Sequence, residues 1–357
     1  MADVLEQLAI AGLISFASIW GVLARFGLNA LNTYDGESVI PILWAQSIGC
    51  FIMGFTTHPK VKGVLEHWYK PLFPMITTGF CGSVTSYSAW VYGAFQAYSN
   101  QLHYNRHGLH NTMDALTQSI ATLGLAYGAY KLGKNIGALG VLQRIQDWIL
   151  RKLHRDRTPA SHEEPIAEKK GFNGSVTAHL VSIAIGIVFW AATAILCGTY
   201  PPFRNVTYAL VLAPPGCLLR WQLARLNAPV SSTRNLGINE YRSWPLGTLA
   251  ANILSVSCNS AAEVGMFVGR TTGPNGRSVY TKDACYALHG FEEGFSGALG
   301  TLSTVIVELS AMKPLKVSVW YAIASYTIGI IICLLVVGAP WWAIGFEGGC
   351  IQLLRGS

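Results

Sequence analysis

Of the 357 residues, 51% are apolar and only 12% are charged, where a soluble domain carries roughly 25% charged residues. The mean hydropathy of +0.37 agrees, and together these values exclude an ordinary soluble protein. A net charge of +7 does not mark a nucleic-acid binder here, because the basic residues sit between the apolar runs, as topology signals do.

Taken in chain order, no Asp, Glu, Lys or Arg interrupts Gln7–Ala24, Ser38–Thr57, Pro71–Asn105, Ala115–Tyr130, Gly171–Phe203, Asn205–Leu219, Ser243–Ala262, Gly294–Val307 or Val317–Phe346. A helix crosses the hydrocarbon core in about 20 apolar residues, so the pattern predicts an all-α integral membrane protein of about nine spans. The first run is read as a retained span, since Met1–Gln7 has no basic region and no small-residue cleavage site follows it. The eight cysteines form no CxxC pair and lie mostly in apolar runs. They are expected to be small buried hydrophobes, with neither a disulfide framework nor a metal site.

Nine spans make the loops alternate sides. The loops on the N-terminal side hold 17 basic residues and those opposite hold 6, which predicts a cytoplasmic N-terminus and an extracellular C-terminus. The sequence also repeats itself. Gly21-Val22-Leu23-Ala24-Arg25 returns as Gly216-Cys217-Leu218-Leu219-Arg220. The run from Gly79-Phe80-Cys81-Gly82 to Ser88 returns as Gly294-Phe295-Ser296-Gly297 to Ser303, and Leu43-Trp44-Ala45-Gln46 returns as Leu249-Ala250-Ala251-Asn252.

The chain therefore reads as a four-span unit (1–133), a cytoplasmic linker (134–178), a single span (179–198) and a second four-span unit (199–357). One added crossing inverts the second unit, and transport sites of inverted repeats form near the midplane between the halves. The linker includes Asp147-Trp148-Ile149-Leu150-Arg151-Lys152, read as a short surface helix before a polar stretch. Glycines at 79 and 82, and again at 294, 297 and 300, weaken the hydrogen-bond ladder of the third helix in each unit. Broken third helices are expected in both.

The third-span motif Gly79-Phe80-Cys81-Gly82-Ser83-Val84-Thr85-Ser86-Tyr87-Ser88-Ala89-Trp90, with Gly21…Arg25 before it, resembles the fluoride channel family. That family comprises the bacterial CrcB (Fluc) proteins and the fused two-repeat eukaryotic FEX fluoride exporters. The resemblance covers both four-span units and implies a passive, selective channel carrying fluoride out across a plasma membrane, acting as a monomeric fused pseudo-dimer in the lipid bilayer. It implies a pore lined by Asn252, Tyr87, Trp90, Ser88 and Ser303, with a loosely aligned fourth-span polar track at Gln118 and Thr122 facing Thr327. Gln46, Leu302 and Val305 would line a degenerate second pathway. It further implies a structural sodium ion (Na+) on the backbone carbonyls of Gly82, Thr85, Gly297 and Gly300. The acidic residue that often ends the third-span motif is Glu308, replaced by Gly93 in the first unit.

The chemistry is sound on its own terms. Fluoride is small and strongly hydrated, so a pore must offer amide and hydroxyl donors and positive ring edges in place of water. Arg25 and Arg220 are candidate anion ligands, although near span ends snorkelling or helix-cap contacts serve equally well. Glu263 and Glu308 are candidate proton carriers of a coupled antiporter; Glu308 lies inside a span, whereas Glu263 closes an uncharged run, which leaves a water-facing position as its alternative. His103, His107 and His110 are expected in a solvated loop. No nucleophile-elbow, HExxH, Walker or dinucleotide fingerprint appears, so no enzyme is expected.

Overall fold

The computed structural model describes residues 2–34, 39–101, 103–155, 172–227, 244–267, 281–345 and 350. All regular elements among them are helices. The first unit contains α1 (Ala2–Leu31), α2 (Ile42–Thr57) and the short α3 (Pro59–Trp68). Its third helix is α4, which runs from Leu72–Pro74 through a π-helical stretch Met75–Cys81 to Gly82–Val84 and then stops. The chain restarts as α5 (Tyr87–Ser99) and continues with α6 (Gly108–Ala138). Helices α7 (Val141–Arg155) and α8 (Val176–Thr199) follow.

The second unit repeats that order: α9 (Arg204–Leu223), α10 (Leu246–Phe267), then α11 (Lys282–Gly290, the π-helical Phe291–Ser296 and Gly297–Leu299). After a second break come α12 (Leu302–Ala311) and α13 (Leu315–Cys333, the π-helical Leu334–Gly338 and Ala339–Ile344).

Among the described residues, four stretches are long and apolar enough to cross a membrane: Asp3–Leu31, Val176–Thr199, Lys282–Ala311 and Leu315–Ile344. The other candidates are shorter or turn polar residues inward. Helix α10 buries Asn252, Ser255, Asn259, Ser260 and Glu263, which lowers its apolarity without setting a charge in lipid.

The largest buried cluster joins both units, bringing Tyr87, Trp90 and Phe95 against Val256, Leu302, Val305 and Tyr321. Helix α8 lies outside it with most of its surface exposed. It reaches α1 where two glycines meet: a Cβ on Gly12 would lie 2.7 Å from the Ser182 carbonyl oxygen, and one on Gly186 would strike the Gly12 backbone. This is the close helix contact that small residues permit. Trp190 Nε1 donates to the Val211 carbonyl at 2.9 Å and Tyr69 Oη lies 2.8 Å from His179 Nδ1, which ties α8 to both units. Helix α7 covers the expected surface helix; the polar stretch after it, 156–171, lies outside the described residues.

The fold corrects the expectation for the cysteines and decides between the alternatives for Glu263. Cys285 and Cys350 form a disulfide between the start of α11 and the C-terminal segment. Their separation of 65 residues gives no local motif, so spacing alone could not reveal the pair. Glu263 does not face water: α10 extends past it to Phe267 and it is only 5% exposed, in the neighbourhood of Glu292 and Tyr92.

Candidate functional site

The two breaks are alike in detail. Thr85 and Ser86 are both extended (φ −89°, ψ 135° and φ −125°, ψ 121°), as are Gly300 and Thr301 (φ −87°, ψ 144° and φ −145°, ψ 131°). In the first unit Ser86 Oγ caps the restarting helix by accepting from the Ala89 amide at 3.2 Å, which satisfies an otherwise orphaned donor. Thr301 makes no such cap, because its hydroxyl turns to the other unit.

Thr85 Oγ1 lies 3.0 Å from Thr301 Oγ1 and 3.0 Å from Ser303 Oγ, which is itself 3.1 Å from Thr301 Oγ1. Three fully buried hydroxyls thus meet where the broken helices cross. Ser88, also fully buried, lies beside Ser86 instead, 3.3 Å between their hydroxyl oxygens.

The second-helix amides bind the break of their own unit, and they do so differently. Gln46 Nε2 donates to the Ser86 carbonyl at 2.6 Å, which leaves Oε1 without a partner. Asn252 uses its oxygen instead, accepting from the Thr301 amide at 2.9 Å, while its Nδ2 makes only a 3.5 Å contact to the Thr301 carbonyl. Each NH₂ group keeps one hydrogen for a further acceptor, but that of Asn252 is held by a 3.5 Å contact and that of Gln46 by a 2.6 Å hydrogen bond.

Across the interface Tyr87 packs against the same break, its Cβ 3.3 Å from where a Gly300 Cβ would stand. The Tyr87 ring meets Trp90 edge-on at 5.4 Å, and Trp90 meets Tyr326 at 5.2 Å. Trp90 Nε1 and Thr122 Oγ1 are buried and have no hydrogen-bond partner. Helix α5, with Tyr87 and Trp90, packs on α10, which carries Asn252; α12, with Leu302 and Val305, packs on α2, which carries Gln46.

The fourth-span track needs correction. Gln118 donates to Asp114 Oδ1 at 2.9 Å and lines a separate cavity of about 280 Å³ with Asn29, Gly93, Gln96, Arg106 and Asp114. Thr327 is exposed. The residues that reach the aromatic cluster are Ser119, 2.8 Å from Tyr326 Oη, and Ser325, 2.7 Å from Tyr87 Oη. Helical spacing holds the missing signal: Ala115, Ser119, Thr122 and Ala126 share the buried face of α6, as Tyr321 and Ser325 share that of α13. The loose alignment placed Thr122 on its face but Gln118 and Thr327 one and two residues off theirs.

The arginines neither snorkel nor cap a span end. Arg25 is 0% and Arg220 5% exposed, and each inserts into the opposite unit. Arg220 donates to the carbonyls of Gly82 (2.5 Å) and Thr78 (2.6 Å). Arg25 donates to the Glu293 carbonyl, and its guanidinium covers Gly297. The contacts are reciprocal, position for position, as a twofold relation between the units requires.

These guanidinia bear on the four carbonyls expected to hold sodium. The Gly82 carbonyl already accepts from a cation, and a second cation covers Gly297; both repel an added one. Only the Thr85 and Gly300 carbonyls, at the extended breaks, escape this conflict, so the residues do not fit a sodium ion held by all four.

Two acidic features complete the region. Glu308 accepts from Thr248 Oγ1 at 2.5 Å and from Tyr321 Oη at 3.4 Å. Asn259 Nδ2 donates to Glu292 at 3.2 Å, which completes a buried group with Glu263 and Tyr92.

Two like halves of membrane-length helices, each with a broken third helix and locked through reciprocal arginines, define a multi-pass membrane protein with its polar groups at the seam. A family model described as CrcB-like protein, Camphor Resistance (CrcB), matches residues 12–131 and again 207–339. The chain belongs to this family.

The chain is 28% identical over 353 residues to Fluoride export protein 1 of Candida albicans, covering 94% of this chain and 80% of the relative. It is 31% identical over 333 residues to Fluoride export protein 1 of Schizosaccharomyces pombe, covering 92% and 95%. It is 28% identical over 115 residues to Fluoride-specific ion channel FluC of Methanococcus maripaludis, covering 32% of this chain and 88% of that protein. No solved structure matches the chain.

Proposed function

We propose that this protein is a passive, selective fluoride channel that exports fluoride from the cytosol through one pore formed across the interface of its two units. The observation that carries this reading is the set of open donors at the seam: Trp90 Nε1 and Thr122 Oγ1 lack partners and the Asn252 NH₂ group is weakly held. A buried donor left unpaired costs about 1–3 kcal/mol, so such donors suit a small anion that must be compensated for lost water. The Tyr87 and Trp90 ring edges add positive quadrupole to the same path. The names of the relatives agree with this substrate.

In this reading the units 1–133 and 199–357 are inverted four-span repeats joined through the single span 179–198, and the monomer is complete. The N-terminus lies in the cytosol and the C-terminus outside a plasma membrane. The Cys285–Cys350 bond falls on the side read as extracellular, where disulfides persist.

The deciding experiment is fluoride efflux from proteoliposomes, followed with a fluoride electrode against chloride controls. Selective, gradient-dissipating fluoride flux is expected; absence of flux in folded protein would sink the proposal. A coupled antiporter is the second reading, favoured by the buried Glu263–Glu292 pair. It would drive fluoride uphill on an imposed proton gradient, which a channel cannot do.

A further inference from the structure

The equivalent arginines differ in what answers their charge. Arg25 lies 3.3 Å from the Glu293 carboxylate and is sealed from solvent, so its charge is met within the protein. Among the described residues Arg220 hydrogen-bonds the Gly82 and Thr78 carbonyls and Cys217 Sγ. Among the described residues no carboxylate lies within ion-pair distance of it. The repeats differ at two consecutive positions here, Thr77-Thr78 in the first unit and Glu292-Glu293 in the second, and of these Glu293, which corresponds to Thr78, forms the ion pair with Arg25. A buried cation without a counter-charge is expensive in a membrane and marks function.

Arg220 is also linked to the open donors. The Gly82 turn that it holds leads three residues on to Thr85. The Thr85 hydroxyl touches that of Thr301, and Thr301 is bound by Asn252.

We infer that Arg220 is the unneutralised charge that draws the anion into the path, while Arg25, bound to Glu293, serves only to lock the two units. This rests on the fluoride reading above. Arg220 is a positioning and electrostatic residue, not a shown ligand. Its field acts in a low-dielectric setting, where a fixed charge is screened far less than in water.

The test exchanges the two unlike positions and keeps both arginines. Thr78→Glu should neutralise Arg220 as Glu293 neutralises Arg25, leaving intact the backbone hydrogen bonds that hold the fold. Thr78 is only partly buried, which leaves room for the longer side chain. In proteoliposomes, Thr78→Glu is expected to lower fluoride efflux at low fluoride tenfold or more through a raised apparent KM, with unchanged gel-filtration profile and melting temperature. Glu293→Thr should keep wild-type flux within threefold or exceed it.

The inference is overturned by wild-type flux in Thr78→Glu. It is equally overturned by a loss in Glu293→Thr as large as that in Thr78→Glu, or by a fall in maximal rate at unchanged KM. Wild-type protein without any fluoride flux would sink the fluoride reading itself, a result distinct from normal flux that Thr78→Glu leaves untouched.

Discussion

Asn252 and Gln46 hold corresponding positions, yet one methylene changes how their amides are used. The longer Gln46 holds the Ser86 carbonyl firmly with its NH₂, while Asn252 spends its oxygen on Thr301 and leaves its NH₂ weakly held. Asn252→Ala and Tyr87→Ala are therefore expected to abolish fluoride efflux and make cells fluoride-sensitive. Gln46→Ala and Leu302→Ala should leave most of the flux; comparable losses from both sets at equal expression would show two conducting paths. Gly82 carries a different constraint. A Cβ there would collide with the Arg220 guanidinium, and overpacking of this kind costs about 1–3 kcal/mol. Gly82→Ala should lower the melting temperature measurably, whereas Gly93→Ala, where a Cβ meets open space, should not.

At the scale of elements, the broken helices depend on neighbours as much as on their own glycines. Each break ends in two extended residues, whose polar groups would be orphaned in hydrocarbon. The amides of α2 and α10 and the hydroxyls of the opposite unit meet several of them. The disulfide acts on another element, tying the C-terminal segment to the start of α11 around Met266 and Phe291. Closing a loop with 65 residues between its ends stabilises by up to about 4 kcal/mol on the chain-entropy model. Cys285→Ser is accordingly expected to lower the melting temperature, and reductant should do the same to the wild type but not to the variant. An identical response to reductant in both proteins would mean that the bond contributes nothing.

For the molecule as a whole, the reciprocal arginine contacts imply two like units facing one another, and one intervening span predicts that they are inverted. Cysteines placed at Asn105 and Lys313, in equivalent exposed loops of the two units, should be labelled by a membrane-impermeant maleimide from opposite sides. Asn105 should react from outside and Lys313 only after permeabilisation. Labelling of both from one side would remove the inverted arrangement and the shared pore with it.

The helical class, the repeat and the position of both breaks were legible in the sequence, because apolar run length and glycine clusters are local properties that tertiary contacts do not change. Tyr87, Trp90 and Asn252 were singled out by the motif or its aligned partner, and the fold packs the helices that carry them against one another. The partners of charges and cysteines were not legible. Arg25 and Glu293 are 268 residues apart and Cys285 and Cys350 are 65 apart, so only the closing of one unit on the other determined them. The same holds for Glu263, for which the linear charge pattern left a water-facing end as an alternative. Packing of α11 against α10 buried it beside Glu292. Sequence set which segments are apolar helices and which of them carry the breaking glycines; tertiary structure decided which buried charges find a counter-charge, because in a low-dielectric core that depends on ångström-scale proximity between distant parts of the chain.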